Sequence, residues 1–174
     1  MKRIAKLLLT AALLALGTTA AAQINIPGTH VSFKLDPDNW RYLRTFQLDD
    51  DADIYLYYYA GEVIVDSEGD TVLPSLRIYV HPDYDGDLYQ LVFDRYMVQP
   101  YQAAREYTHG PGLPKSGGIG YMGAYTNPSE QKDYQFLMTY FKSDGAAVEF
   151  RLETTMDTFE EMEQEFKNIL STIK

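Results

Sequence analysis

One stretch of this chain carries the residue types of a cation loop. In "HPDYDGDLYQLVFD", residues 81–94, Asp83, Asp85 and Asp87 alternate around Gly86, and Asp94 closes a twelve-residue frame opened by Asp83. An EF-hand loop gathers calcium ligands at nearly that spacing, with glycine at its sixth position and a bidentate glutamate at its twelfth. Here the sixth position is Leu88, and Asp94 is one carbon shorter than glutamate. From Leu88 the apolar residues recur at helical spacing (Leu88, Leu91, Val92, Tyr96), and a helical backbone cannot wrap an ion. Asp83, Asp85 and Asp87 are thus a partial calcium match. A turn at Gly86, with Asp85 or Asp87 capping a helix, accounts for every residue.

Other chemistries match less well. "LDDDADI" supplies Asp49, Asp50, Asp51 and Asp53, but its twelfth position is Ala60, so it reads as a hydrated loop. "GIGYMG", residues 118–123, has dinucleotide-binding glycines but lacks the preceding strand and following helix that bring a pyrophosphate to a helix N-terminus. "GPGLPKS" has Pro114 where a phosphate loop needs glycine before Lys115. His30, His81 and His109 are scattered, no serine lies in a G-x-S-x-G context, and there is no cysteine. No cofactor and no catalytic residue is expected.

Tyrosine is in excess, with 15 residues. Tyr55, Tyr57 and Tyr59 share one face of a strand, and Tyr101, Tyr107, Tyr121 and Tyr125 lie around a glycine-rich loop. A tyrosine offers flat apolar area with a polar tip, which suits protein interfaces and sugar stacking. The structural reading is a sheet face covered by helices, with hydroxyls reaching its rim.

The chain's ends bound where and how these residues are held. Lys2, Arg3 and Lys6, then "LLLTAALLALG" and "TTAAAQ", form a secretory signal pattern over residues 1–22, with cleavage expected after Ala22. That apolar run is short for a membrane span and there is no second one, so no transmembrane anchor is expected. Residues 1–22 hold three basic and no acidic side chains. The remaining single domain, 23–174, then carries 12 basic against 25 acidic groups, a formal charge of −13. Such a chain repels nucleic acid and anionic lipid.

Strand patterns run through "HVSFKL", "RYLRTFQL", "DIYLYYYAGEVIV" and "LPSLRIYV", and "PYQAAREY" reads as a short helix opened by Pro100. "DYQFLMTYFKS" and "AAVEFRLET" flank Asp144-Gly145, a hairpin turn signal. That turn sets Phe141 opposite Val148, Thr139 opposite Phe150 and Leu137 opposite Leu152 on a core face. The other face pairs Tyr140 with Glu149, Met138 with Arg151 and Phe136 with Glu153. It is amphipathic, so it should be half covered or meet a partner. Asp157 and Glu160 then read as a capping box for a helix with the stripe Phe159, Met162, Phe166, Ile169, Leu170 and Ile173.

"FKLDPDNW", "SLRIYV" and "YFKSDGAAVEFRLETTMDTFEEMEQEFKNILSTIK" resemble the PsbP-like superfamily, which includes the extrinsic PsbP protein of photosystem II, a Ran-binding import factor and DcrB-type bacterial envelope proteins. The resemblance implies an α+β fold, an α/β/α sandwich with a curved antiparallel sheet flanked by helices. It assigns structural roles to Phe33, Pro37, Trp40, Phe159, Phe166 and Leu170, and it brings no active site. The expectation is an exported, non-enzymatic domain that binds another envelope or secreted protein. Its partner-binding candidates are Tyr55, Tyr57, Tyr59, Phe136, Met138 and Tyr140. The alternatives are glycan binding through the tyrosine-rich face, and a hydrolase with an unrecognised site.

Overall fold

The computed structural model describes residues 21–47, 52–108, 110, 112–114 and 117–174. The signal pattern, apart from its last two residues, lies outside them, as do Asp49, Asp50, Asp51, His109 and Lys115. In chain order the strands are β1 (Ala22–Asn25), β2 (Ser32–Leu35), β3 (Trp40–Gln47), β4 (Asp53–Tyr59), β5 (Ile64–Val65), β6 (Thr71–Val72) and β7 (Ser75–His81). Helix α1 (Leu88–Val98) follows, then β8 (Gln102–Tyr107), β9 (Ile119–Asn127), β10 (Lys132–Ser143), β11 (Ala146–Thr155) and helix α2 (Phe159–Ser171). Seven strands form one sheet in the order β3-β4-β7-β11-β10-β9-β8, antiparallel throughout. Two small hairpins, β1-β2 and β5-β6, stand apart from it.

The central hairpin sets the layers. Asp144 and Gly145 both have positive φ, 53° and 81°, which matches the right-handed twist of the strands they join. Phe141 pairs with Val148, Thr139 with Phe150 and Leu137 with Leu152, while Tyr140 pairs with Glu149, Met138 with Arg151 and Phe136 with Glu153. This is the register expected from the sequence. Because successive side chains alternate, it feeds two separate cores.

Leu137, Phe141, Val148, Phe150 and Leu152 pack under the α2 stripe of Phe159, Met162, Phe166, Ile169 and Leu170, together with Phe33 and Leu35 of β2. Phe136, Met138 and Tyr140 pack on the opposite face under Leu91 and Val92 of α1, beside Tyr121 and Tyr125 of β9. The result is helix, sheet, helix: an α+β sandwich with a core on each side. Each fully buried Phe or Leu in it contributes roughly 1.5–3 kcal/mol.

Two local expectations fail. "PYQAAREY" is not helical; Gln102–Tyr107 is the edge strand β8, bulged between Ala103 and Arg105. Pro100 suits a helix start, but pairing with β9 outweighs a short segment's helical preference. Asp157 does not cap α2. Thr158 holds the cap position without a side-chain bond, and Asp157 instead accepts the Ser67 N–H at 2.6 Å. That bond, with further hydrogen bonds from Ser67 and Thr155, holds its carboxyl down at about 2.

Candidate binding groove and exposed helix face

The structure redistributes the residues singled out in the sequence. Phe136, Met138 and Tyr140 lie inside the α1-side core and offer a partner no surface. Tyr57 is buried edge-on against Phe33, Tyr59 stands edge-on to Trp40, and Tyr55 packs at the margin of the α2-side core. Tyr57, Phe136, Met138 and Tyr140 are therefore packing residues, while Tyr55 and Tyr59 are half-buried at the margin of the α2-side core. Asp87 accepts the Tyr89 N–H at 2.7 Å and caps α1, which begins at Leu88. Asp83 turns the chain with φ 53°. Tyr101, Tyr121 and Tyr125 join the α1-side core, and the side chain of Tyr107 lies outside the described residues.

Among the described residues, what remains open is the lower half of the α1-side sheet face. Helix α1 ends at Val98, and beyond it a groove of about 680 Å³ is lined from six strands of the sheet. Its floor includes Tyr58 of β4, Ser75 and Arg77 of β7, Glu153 of β11 and Tyr125 of β9. Sheet pairing brings these together: Glu153 lies opposite Ser75, and Ser75 opposite Tyr58. Leu43 and Leu73 stand exposed on its walls.

Glu153 is the hub of the floor. Its Oε1 pairs with Arg77 Nη2 at 2.8 Å, and its Oε2 accepts from Arg151 Nε at 2.6 Å and from the Tyr125 hydroxyl at 3.2 Å. Arg151 also donates through Nη1 to Gln99 just past α1, and its guanidinium lies 4.7 Å from the Tyr125 ring centre. Higher up the face, Arg95 of α1 donates to Glu149 at 3.1 Å and lies over Tyr79. Burial works against the charge on Arg77, Arg95 and Arg151, yet their glutamates leave each guanidinium above its ordinary pKa. Burial, then the Glu153 charge, pushes the Tyr125 phenol up to about 12. An ion pair in low dielectric holds only when its remaining polar atoms are met, and here nearly all are. The exception is Arg151 Nη2, which has no hydrogen-bond partner.

At the rim, Asp66, Glu68 and Asp70 bring carboxylate oxygens together at the β5-β6 turn. Lys132 Nζ sits among them, on Asp66 Oδ2, on Asp70 Oδ2 at 2.7 Å and near Glu68 Oε2 at 3.7 Å. A lysine ammonium thus supplies the cation for this cluster. Its hydrogen bond, followed by the Asp70 and Glu68 N–H groups, holds the Asp66 carboxyl below its ordinary value.

The outer face of α1 is unusual. Tyr89, Phe93, Tyr96 and Met97 follow one another at helical spacing and are 55, 56, 40 and 63% exposed. Leu91 and Val92 face inward, so α1 is apolar on two sides.

No family model and no curated protein matches the chain. Solved structures do. The chain is similar to the cyanobacterial PsbP (CyanoP) of Synechocystis sp. PCC 6803, with a TM-score of 0.58 at 11% identity over 91% of this chain and 94% of that one. It is also similar to the Ran-binding protein Mog1p of Saccharomyces cerevisiae, with a TM-score of 0.50 at 10% identity over 87% of this chain and 86% of that one. The fold is PsbP-like. At such identity the likeness concerns the PsbP-like scaffold, and function has to be argued from the site.

Within this PsbP-like sheet, the sequence reading missed Arg77, Glu153, Tyr125, Ser75 and Tyr58 as a group. One signal was present: Glu149, Arg151 and Glu153 alternate along a strand whose other face is apolar from Ala146 to Leu152. Such a charged row had to be paired, solvated or bound.

Proposed function

We propose that the protein is an exported, non-catalytic binding domain that docks another envelope or secreted protein through the outer face of α1. The exposed stripe of Tyr89, Phe93, Tyr96 and Met97 carries this reading. A helix apolar on both sides is ordinarily buried on both sides, and aromatic residues with methionine are the side chains enriched at interface centres. The acids flanking the stripe, Asp85, Asp87, Asp94 and Glu106, select a partner with an apolar centre and a basic rim. Export is supported by the signal pattern of residues 1–22. A binding rather than catalytic role is supported by the groove, where Glu153 and Arg77 engage each other instead of facing an open position.

The test is a photo-crosslinking residue placed at Phe93, with Gln164 on α2 as the control position, in a native envelope preparation. One partner should be captured from position 93 and not from 164, and the yield should fall with added salt. In a second experiment, with the crosslinker at Tyr96, Phe93→Asp should abolish capture. Equal capture from positions 93 and 164, or capture from Tyr96 unaffected by Phe93→Asp, would refute the reading.

A further inference from the structure

We infer that the open groove beyond α1 is a separate binding site, for a neutral, polyhydroxylated ligand of the oligosaccharide class. The groove's charges decide the class. Its charged lining groups are Asp70, Arg77, Glu130, Lys132 and Glu153. Arg77 is paired with Glu153, Lys132 with Asp66 and Asp70, and Glu130 accepts the Tyr134 hydroxyl. An anion would have to take Arg77 from Glu153 or Lys132 from its aspartates. A cation entering among the acids would meet Arg77 and Lys132. Breaking a largely buried pair leaves a charge uncompensated, so a neutral ligand is favoured over either ion.

The uncharged lining fits the same class. The Ser75 hydroxyl can both donate and accept, and the Asn127 amide, whose oxygen accepts the Ser129 N–H, can donate, as binding sugar hydroxyls requires. Tyr134 and Tyr125 are stacked, with ring centres 5.6 Å apart and planes at 24°, and Tyr58 is half-buried on the same floor. Flat rings beside exposed Leu43 and Leu73 suit the C–H faces of a pyranose. The floor is the face of a sheet whose backbone groups are already paired, so a peptide could not add there as a strand. Tyr125 also lines an adjoining cleft of about 450 Å³ with Tyr101 and Met156, so the surface runs on past one sugar ring.

The experiment is heteronuclear NMR on the 23–174 chain, titrated with maltohexaose, cellohexaose and fully N-acetylated chitohexaose, and with a heparin hexasaccharide as the charged comparison. At least one neutral hexasaccharide should give saturable shifts centred on Tyr58, Ser75, Arg77 and Tyr134, and heparin none. Tyr134→Ala should weaken that binding by about tenfold or more. Leu73→Glu, an exposed wall change, should do likewise and serves if the tyrosine variant fails to fold. Phe93→Asp should leave it unchanged, which separates this site from the α1 face. Three neutral sugars that leave the groove unmoved, or a heparin response at Arg77, would overturn the inference.

Discussion

Arg151 and Glu153 stand two residues apart on β11, project from the same face and meet through a 2.6 Å hydrogen bond from Nε to Oε2. They are 3 and 1% exposed. A residue pair of this spacing is ordinary on a solvated strand; here it lies at the boundary between the half of the sheet that α1 covers and the half left as a groove. Removing one buried partner strands the other. Glu153→Ala is therefore expected to lower unfolding stability by about 3–5 kcal/mol. Arg151→Met combined with Glu153→Leu should lose less than Glu153→Ala alone. Urea denaturation of the three variants measures both, and a loss below about 1 kcal/mol for Glu153→Ala would contradict the pairing.

Phe150 and Phe166 have no exposed surface, and Phe150 lies between Phe33 and Phe141 with ring centres 5.3 and 6.0 Å away. Truncating either to alanine should cost about 3–5 kcal/mol by chemical denaturation.

Alkaline titration should expose the α1-side core. Tyr101 and Tyr125 are held up to about 12, and Tyr121, Tyr134 and Tyr140 are raised further, burial being the first cause in each. Between the ordinary value of 10.0 and about 12, the unfolded chain loses phenolic protons that the folded chain keeps. Stability therefore falls as pH rises through that window. Absorbance at the tyrosinate band should show a late group of tyrosines that ionise together with loss of structure. A single transition at the ordinary value, with the fold intact, would refute their burial.

Calcium should change little. Asp87 is engaged in capping α1, and Lys132 supplies the cation at Asp66, Glu68 and Asp70. Thermal melts with chelator and with calcium at about a hundred times a typical sensor dissociation constant should coincide, since real occupancy at that level would add about 2.7 kcal/mol. An upward shift abolished by Asp85→Ala would restore the loop as an ion site.

The sequence made local order legible and left convergence hidden. Asp144-Gly145 and strict alternation fixed the pairing of Phe141 with Val148 and of Met138 with Arg151, because a one-residue slip would invert both faces. The α2 stripe was legible for the same reason, in its own period. Gln102–Tyr107 was misread because strand pairing with β9 is a contact the segment does not carry in itself. Asp157 was misplaced because its partner, Ser67, is 90 residues away. Of the groove, only the charged row Glu149, Arg151 and Glu153 was legible: Arg77, Glu153 and Tyr125 come from three strands, and only the sheet order makes them neighbours.

The residues after α2 close on β2. Ser32 and Lys174 exchange backbone hydrogen bonds of 3.1 and 2.9 Å, and the Lys34 N–H reaches the Thr172 hydroxyl at 2.8 Å, a separation of 138 residues. Phe33 and Leu35 share their core with Phe166 and Leu170. The β1-β2 hairpin rests on the sheet through Phe33, against Tyr57 and Phe150, and its cover is complete only with α2 in place. Long-range closure of this kind is slow. Docking of β1-β2 beneath α2 is therefore expected among the late steps of folding, because it joins the segments farthest apart in the described chain.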